Sequence, residues 1–142
     1  MEVVDIDIDD HRISEVFRVL VQLRPHIDEQ QFREIYANGR KEGLRFSALY
    51  DNERCVAVAG WRIINTTHPV RKMYVDDLIT DEKSRSGGHG HALMTHLKDR
   101  AREAGCTMLD LDSGVQRFDA HRFYLREGMH IGSHHFVIEL EA

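Results

Sequence analysis

Val4, Ile6 and Ile8 alternate with Asp5, Asp7 and Asp9, the period-2 pattern of a strand with one dry and one wet face. Its acidic face suits an outer strand. From Ile13 the period changes: Ile13, Val16, Phe17, Leu20 and Val21 form a helical stripe, with Asp9 and Asp10 as cap candidates and Arg24-Pro25 as the stop. Asp28 and Gln31 make a capping box for a second, shorter helix that carries Phe32, Ile35 and Tyr36 and ends near Gly39. These two helices are expected to form a hairpin. Runs at Phe46–Tyr50 and Arg54–Ile64 flank the turn-prone Asp51-Asn52 and predict an antiparallel hairpin. After a turn at Asn65–Pro69, Lys72–Thr80 reads as a further strand. Asp81–Gly90 is polar and glycine-rich, and it opens onto a helix with Leu93, Leu97, Ala101 and Ala104 on one face and Gly105 as its end. A strand over Thr107–Asp112, a helix from about Arg117 to Glu127 ended by Gly128, and a last strand over His134–Leu140 follow. Hairpins in the first half imply antiparallel pairing, and the strand-helix alternation of the second half implies parallel pairing. The fold class expected is α/β (α+β), a mixed sheet with helices on both faces.

Composition narrows the classes. The 142 residues suffice for one domain, read as 1–142, and at 42% hydrophobic and 30% charged the chain is neither disordered, collagen-like nor a coiled coil. No stretch approaches the roughly 20 apolar residues of a membrane span, and MEVVDIDIDD is acidic where a signal peptide is basic and then apolar. No membrane partner and a cytoplasmic location are expected. With 19 Lys+Arg against 24 Asp+Glu, the net charge of −5 gives no footprint for nucleic-acid phosphates, so no nucleic-acid partner is expected. Cys55 and Cys106 form no CxxC pair and read as small core residues. His89 and His91 with Asp110 and Asp112 make no recognised metal spacing, so no metal is expected.

The informative segment is Arg85-Ser86-Gly87-Gly88-His89-Gly90-His91. Glycines at 87, 88 and 90 remove Cβ atoms where the chain enters a helix, so backbone N–H groups can converge on an anion with the helix dipole behind them. Arg85 can add a fork of donors. A Walker loop would need Lys-Ser/Thr after the last glycine, where His91-Ala92 stands, and a dinucleotide fingerprint would need glycine at Leu93.

Arg85-x-x-Gly88-x-Gly90, following Asp76-Asp77-Leu78-Ile79-Thr80, resembles the acyl-CoA signature of the GNAT superfamily of N-acetyltransferases. About thirty residues on, Ala120-His-Arg-Phe-Tyr124-Leu-Arg-Glu-Gly128-Met129 is similar to that family's second signature. The resemblance implies a mostly antiparallel twisted sheet of six to seven strands with about four helices, in the order β-α-α-β-β-β-α-β-α-β-β. It implies acetyl-CoA as cosubstrate, its pyrophosphate on the main chain of Arg85 to His91, leaving side chains at 86, 87 and 89 free to vary. It further implies the pantetheine arm along the backbone of Leu78, Ile79 and Thr80, and Tyr124 as general acid toward the thiolate. The family's usual asparagine seven residues before the tyrosine is replaced by Arg117, and its phenylalanine after the glycine by Met129.

The activity so implied is acetyl transfer to a primary amine of a small molecule by direct attack. An alkyl amine with a pKa near about 10.4 is protonated at neutral pH, so a base is required. Asp76 and Asp77 are the candidates; alternation points only one of them into the cleft, and the reading leans to Asp77 for ordering and Asp76 as base. Leu78 N–H, or a neighbour, suits the carbonyl oxygen. The rival readings are an idle acyl-CoA sensor and acetylation of a protein N-terminus or lysine. Asp76, Asp77, Asp110 and Asp112 would attract a cation. Against that, Gln116–Tyr124 looks like the segment of family members that acetylate aminoalkylphosphonates, with Arg117, Arg122 and Arg126 for an acidic group, and both substrate classes stay open. A homodimer is compatible with either.

Overall fold

The N-terminal alternation folds as β1 (Glu2–Ile6), and it takes the sheet edge that its acidic face suits. In the computed structural model, which describes residues 1–141, β1 is followed across one sheet by β2 (Arg45–Asp51), β3 (Arg54–Asn65), β4 (Arg71–Thr80) and β5 (Met108–Leu111). Neighbours run antiparallel except β4 and β5, which are parallel, as a crossover through a helix requires. The helices are α1 (Ile13–Leu20), α2 (Glu29–Arg40), α3 (His89–Glu103) and α4 (Phe118–Arg126). A 3-10 helix over Glu82–Gly87 occupies what reads in sequence as irregular loop.

Local signals explain most boundaries. Asp28 accepts the Gln31 N–H at 2.8 Å while the Gln31 side chain accepts the Asp28 N–H at 2.8 Å, so both halves of the capping box form. Asn52 and Glu53 turn the β2–β3 hairpin at φ of 51° and 66°, the left-handed pair that suits the twist of the flanking strands. At α1 the expected cap is displaced: Asp10 accepts the Arg12 N–H at 2.8 Å and grips the Arg12 guanidinium.

The chain divides into two compact units, residues 1–111 and the remainder from Asp112. In the first, α1 and α2 cover one sheet face, burying Val16, Leu20, Phe32 and Tyr36 against Ile6, Phe46, Val58 and Ile79. α3 covers the other face, with Leu93, Leu97 and Ala101 on Trp61, Met73 and Val75. Each leucine so buried stabilises the fold by about 1.5–3 kcal/mol. The second unit holds α4. Residues 129–141 carry no regular secondary structure, and Phe136, Ile138 and Leu140 are exposed. Among the described residues the sheet therefore has five strands where six to seven are expected, and the strand expected over His134–Leu140 is not formed. Alternation supplies a face to bury, but it does not by itself specify a neighbouring strand to pair with. No described helix is long and apolar enough to cross a membrane.

Candidate active site

The site begins with one extra residue. Gly60 of β3 stands opposite Asp77, yet the next residue, Trp61, stands opposite Val75, so Asp76 is inserted in the ladder as a β-bulge. Before it, Met73 and Val75 face α3; after it, Leu78 packs on that same cluster while Ile79 joins the opposite one. Strict alternation would have sent one aspartate to each face. The bulge instead brings both Asp76 and Asp77 to the α1–α2 side, where they line a cleft of roughly 240 Å³ with Arg24, Phe32, Leu44 and Arg62. A Cβ on Gly60 would lie 2.7 Å from the Phe46 ring, so that ring rests directly on the backbone beneath the bulge.

The two carboxylates differ in their attachments. Asp76 is gripped by both arms of Arg62, Nε to Oδ1 at 3.0 Å and Nη2 to Oδ2 at 2.9 Å, the bidentate geometry of a strong ion pair. Among the described residues Asp77 is held through one oxygen, with Arg24 Nε at 2.8 Å and Nη2 at 2.7 Å from Oδ1. Burial pushes the Asp77 carboxyl above its ordinary range, against the pull of Arg24, and the neighbouring Asp76 charge adds to the rise.

Past the bulge, among the described residues, β4 keeps one strand neighbour. Leu78, Ile79 and Thr80 pair with Ala59, Val58 and Ala57 of β3, whereas β5 is laddered to β4 only over Lys72–Val75. Among the described residues no strand pairs with the other edge at 78–80, an edge able to take an extended ligand by main-chain bonds. Beyond it the 3-10 helix ends at Gly88, whose φ of +73° places it in the left-handed region, and α3 starts at His89. The first ladder bond of α3 runs from the Ala92 N–H to the Gly88 carbonyl at 3.1 Å, so the turn ahead of it presents donors outside the ladder, backed by the helix dipole. A Cβ on Gly88 would meet nothing within 4 Å, leaving the approach open.

The expectation that side chains at 87 and 89 are free to vary is corrected. The His89 ring is buried, with Nδ1 3.0 Å from the Ser84 carbonyl and Nε2 3.4 Å from Asp51 Oδ2. A Cβ on Gly87 would stand 2.6 Å from that ring. The imidazole thus acts as a wedge that shapes the turn, and its signal was hidden in a motif whose intervening positions look arbitrary.

Asp81 is a second residue that sequence reasoning missed. Its side chain is 1% exposed and ties the loop to the body: Arg18 donates at 3.1 Å, Arg54 at 3.0 Å and Gln22 at 3.2 Å. Burial opposes its charge, but these donors and the Lys83 N–H overcome it and hold the carboxyl well below the usual range. Asp81→Ala removes the carboxylate that Arg18 and Arg54 share, leaving Arg18 the Cys55 carbonyl, and is expected to cost about 2–3 kcal/mol, below a fully buried pair because both arginines are partly solvated. Urea unfolding at pH 7 measures it. Since the folded pKa is depressed, the contribution is present above about pH 4 and is lost as pH falls toward the folded pKa; the stability gap between the parent and the variant should narrow steadily as pH falls below about 4.

In the second unit Tyr124 sits on α4, half-buried, its ring 5.6 Å from that of Phe123. Burial pushes its phenol up, and Arg117, at the helix start, opposes this by charge and hydrogen bond. The hydroxyl is therefore protonated throughout the neutral range. Cys55 is buried, which pushes its thiol up to about 11 and away from the environment of a nucleophile, and Cys106 is half-buried. Among the described residues no group of three His, Cys, Asp or Glu side chains is placed to hold a metal ion.

Against known proteins, residues 7–129 match the model of the acetyltransferase (GNAT) family. The chain is 35% identical over 112 residues, 78% of its length and 79% of the relative's, to the uncharacterized N-acetyltransferase YhdJ of Bacillus subtilis (strain 168). It is 28% identical over 108 residues, 75% of its length and 70% of the relative's, to the aminoalkylphosphonate N-acetyltransferase of Salmonella typhimurium. Its fold is similar to the crystal structure of a ribosomal-protein-alanine N-acetyltransferase from Brucella melitensis biovar Abortus 2308, with a TM-score of 0.83 at 14% identity, covering 99% of this chain and 100% of that one.

Proposed function

Given that the chain belongs to the acetyltransferase (GNAT) family, we propose that it transfers an acetyl group from acetyl-CoA to the primary amine of a small molecule, by direct attack, with residues 1–142 as one catalytic domain. The matched span of 7–129 runs across both units, which supports treating them as one domain. The observation that carries the reading is the bulge at Asp76, which lines a small cleft with two carboxylates beside an open strand edge and a helix N-terminus. Those last two features fit coenzyme A: the backbone of Leu78, Ile79 and Thr80 would take the pantetheine arm, and the turn from Arg85 to His91 the pyrophosphate. When bound, acetyl-CoA supplies a thioester carbonyl open to attack.

The chain's own residues supply the protons. Asp77, raised in pKa and bound through one oxygen, is the base that takes the ammonium proton, directly or through water. This reverses the roles leaned to from sequence, because Asp76 is committed at both oxygens to Arg62. The Leu78 N–H, or a neighbour's, answers the developing charge on the carbonyl oxygen. Tyr124 donates its phenolic proton to the departing thiolate.

The test is release of free thiol from acetyl-CoA. It should rise on addition of a small primary amine and be matched by one acetylated amine per thiol. Tight coenzyme binding with no release across an amine panel would favour a non-catalytic sensor instead. A narrower prediction concerns the wedge: Gly87→Ala should raise the coenzyme A dissociation constant about tenfold by calorimetry, since its Cβ drives into the held His89 ring. Adding His89→Ala removes the clash; if the double variant binds no better than Gly87→Ala, the loop is not shaped this way.

A further inference from the structure

The charges lining the cleft balance: two carboxylates, Asp76 and Asp77, face two guanidiniums, Arg24 and Arg62. A simple monoamine entering as its ammonium would bring an unanswered positive charge between two arginines, in a site where burial already penalises uncompensated charge. A ligand carrying one ammonium and one anion leaves the balance at zero. The two arginines are also not equally occupied. Arg62 spends Nε and Nη2 on Asp76 and turns Nη1 to Glu42 at 3.5 Å. Arg24 spends Nε and Nη2 on Asp77 and the Asp76 carbonyl, while among the described residues Nη1 makes no hydrogen bond. Its side chain is 45% exposed, so it stands at the cleft mouth rather than its floor. Apart from His26, the rest of the wall is apolar, with Phe32, Leu44 and Phe46, and the cleft's roughly 240 Å³ suits a small acceptor.

Resting on the acetyl-transfer reading above, we propose that the acceptor is a short zwitterion, with its ammonium at Asp77 and its anionic group on Arg24 Nη1. The linking methylenes lie against Phe32 and Phe46. A carboxylate and a phosphonate offer the same chemistry to a guanidinium fork, and the experiment separates them.

Binding to the full chain is measured by calorimetry without acetyl-CoA, so the outcome does not depend on turnover. The probes are β-alanine, 2-aminoethylphosphonate and n-propylamine, which share an aminoalkyl arm and differ in the anionic group. At least one zwitterion should bind about tenfold or more tightly than n-propylamine, and the ratio between the two zwitterions identifies the preferred anion. Arg24→Gln should bring the zwitterion-to-propylamine ratio close to one, and Arg24→Lys should restore much of it. Because the readout is a ratio, a general effect of the substitution on Asp77 cancels. The proposal is overturned if n-propylamine binds as well as both zwitterions, if none of the three binds, or if Arg24→Gln leaves the ratio unchanged. Selective zwitterion binding with no thiol release in a separate assay would retire the acetyl-transfer reading and leave the zwitterion site standing.

Discussion

Tyr124→Phe is expected to lower kcat by roughly 10²- to 10³-fold, with little change in the KM for acetyl-CoA. Removing one hydroxyl takes away a single proton donor, and a positioned general acid contributes about 10²–10⁴. The phenol is suited to that work because burial holds its pKa up, keeping it protonated throughout the neutral range. The ring remains, so its packing with Phe123 survives and the melting temperature should move little. Initial rates of thiol release, taken together with a thermal melt, decide the matter. A loss under about fivefold would assign Tyr124 to packing alone.

The second large effect separates the two aspartates. Asp77→Asn should reduce kcat/KM about 10²-fold, whereas Asp76→Asn should cost less than about tenfold at pH 7. The asymmetry follows from attachment: Asp76 is locked at both oxygens by Arg62, while Asp77 keeps one oxygen clear of Arg24 and has the raised pKa. The sign of the pH dependence follows. As pH rises through the Asp77 pKa, the carboxylate forms and the rate climbs, with an inflection above the ordinary carboxylate range. Asp77→Asn should erase that limb, and Asp76→Asn should keep it. The reverse pattern would restore Asp76 as base.

Much of this architecture was legible in the letters because its signals are local. The Asp28–Gln31 capping box, the Asn52 turn, the face of α3 from Leu93 to Ala101 and the acidic edge strand each depend on residues within a few positions of one another. What stayed hidden depends on partners distant in sequence. The bulge cannot be seen in β4 alone, since it exists only in the register against Gly60 and Trp61. Asp81 reads as one more polar loop residue until Arg18 and Arg54 arrive from α1 and β3. His89 reads as a position free to vary until Asp51 and Ser84 close around its ring. The alternation over His134–Leu140 is a strand pattern without a ladder, because period specifies which face would be buried and nothing about what it pairs with.

The bulge at Asp76 also says something about how such a site can be lost or gained. Because Met73, Val75 and Leu78 lie on one cluster and Ile79 on the other, excising Asp76 would leave each of these neighbours on the face it already holds. The flanking strand is indifferent to the extra residue. One in-frame codon therefore separates a sheet with a single carboxylate over the cleft from one with two, and Arg62 loses or acquires its two-pronged partner in the same event, keeping Glu42. Here a deletion is a gentler change to the fold than many substitutions, and chain length, more than residue identity, governs how many acids the cleft holds.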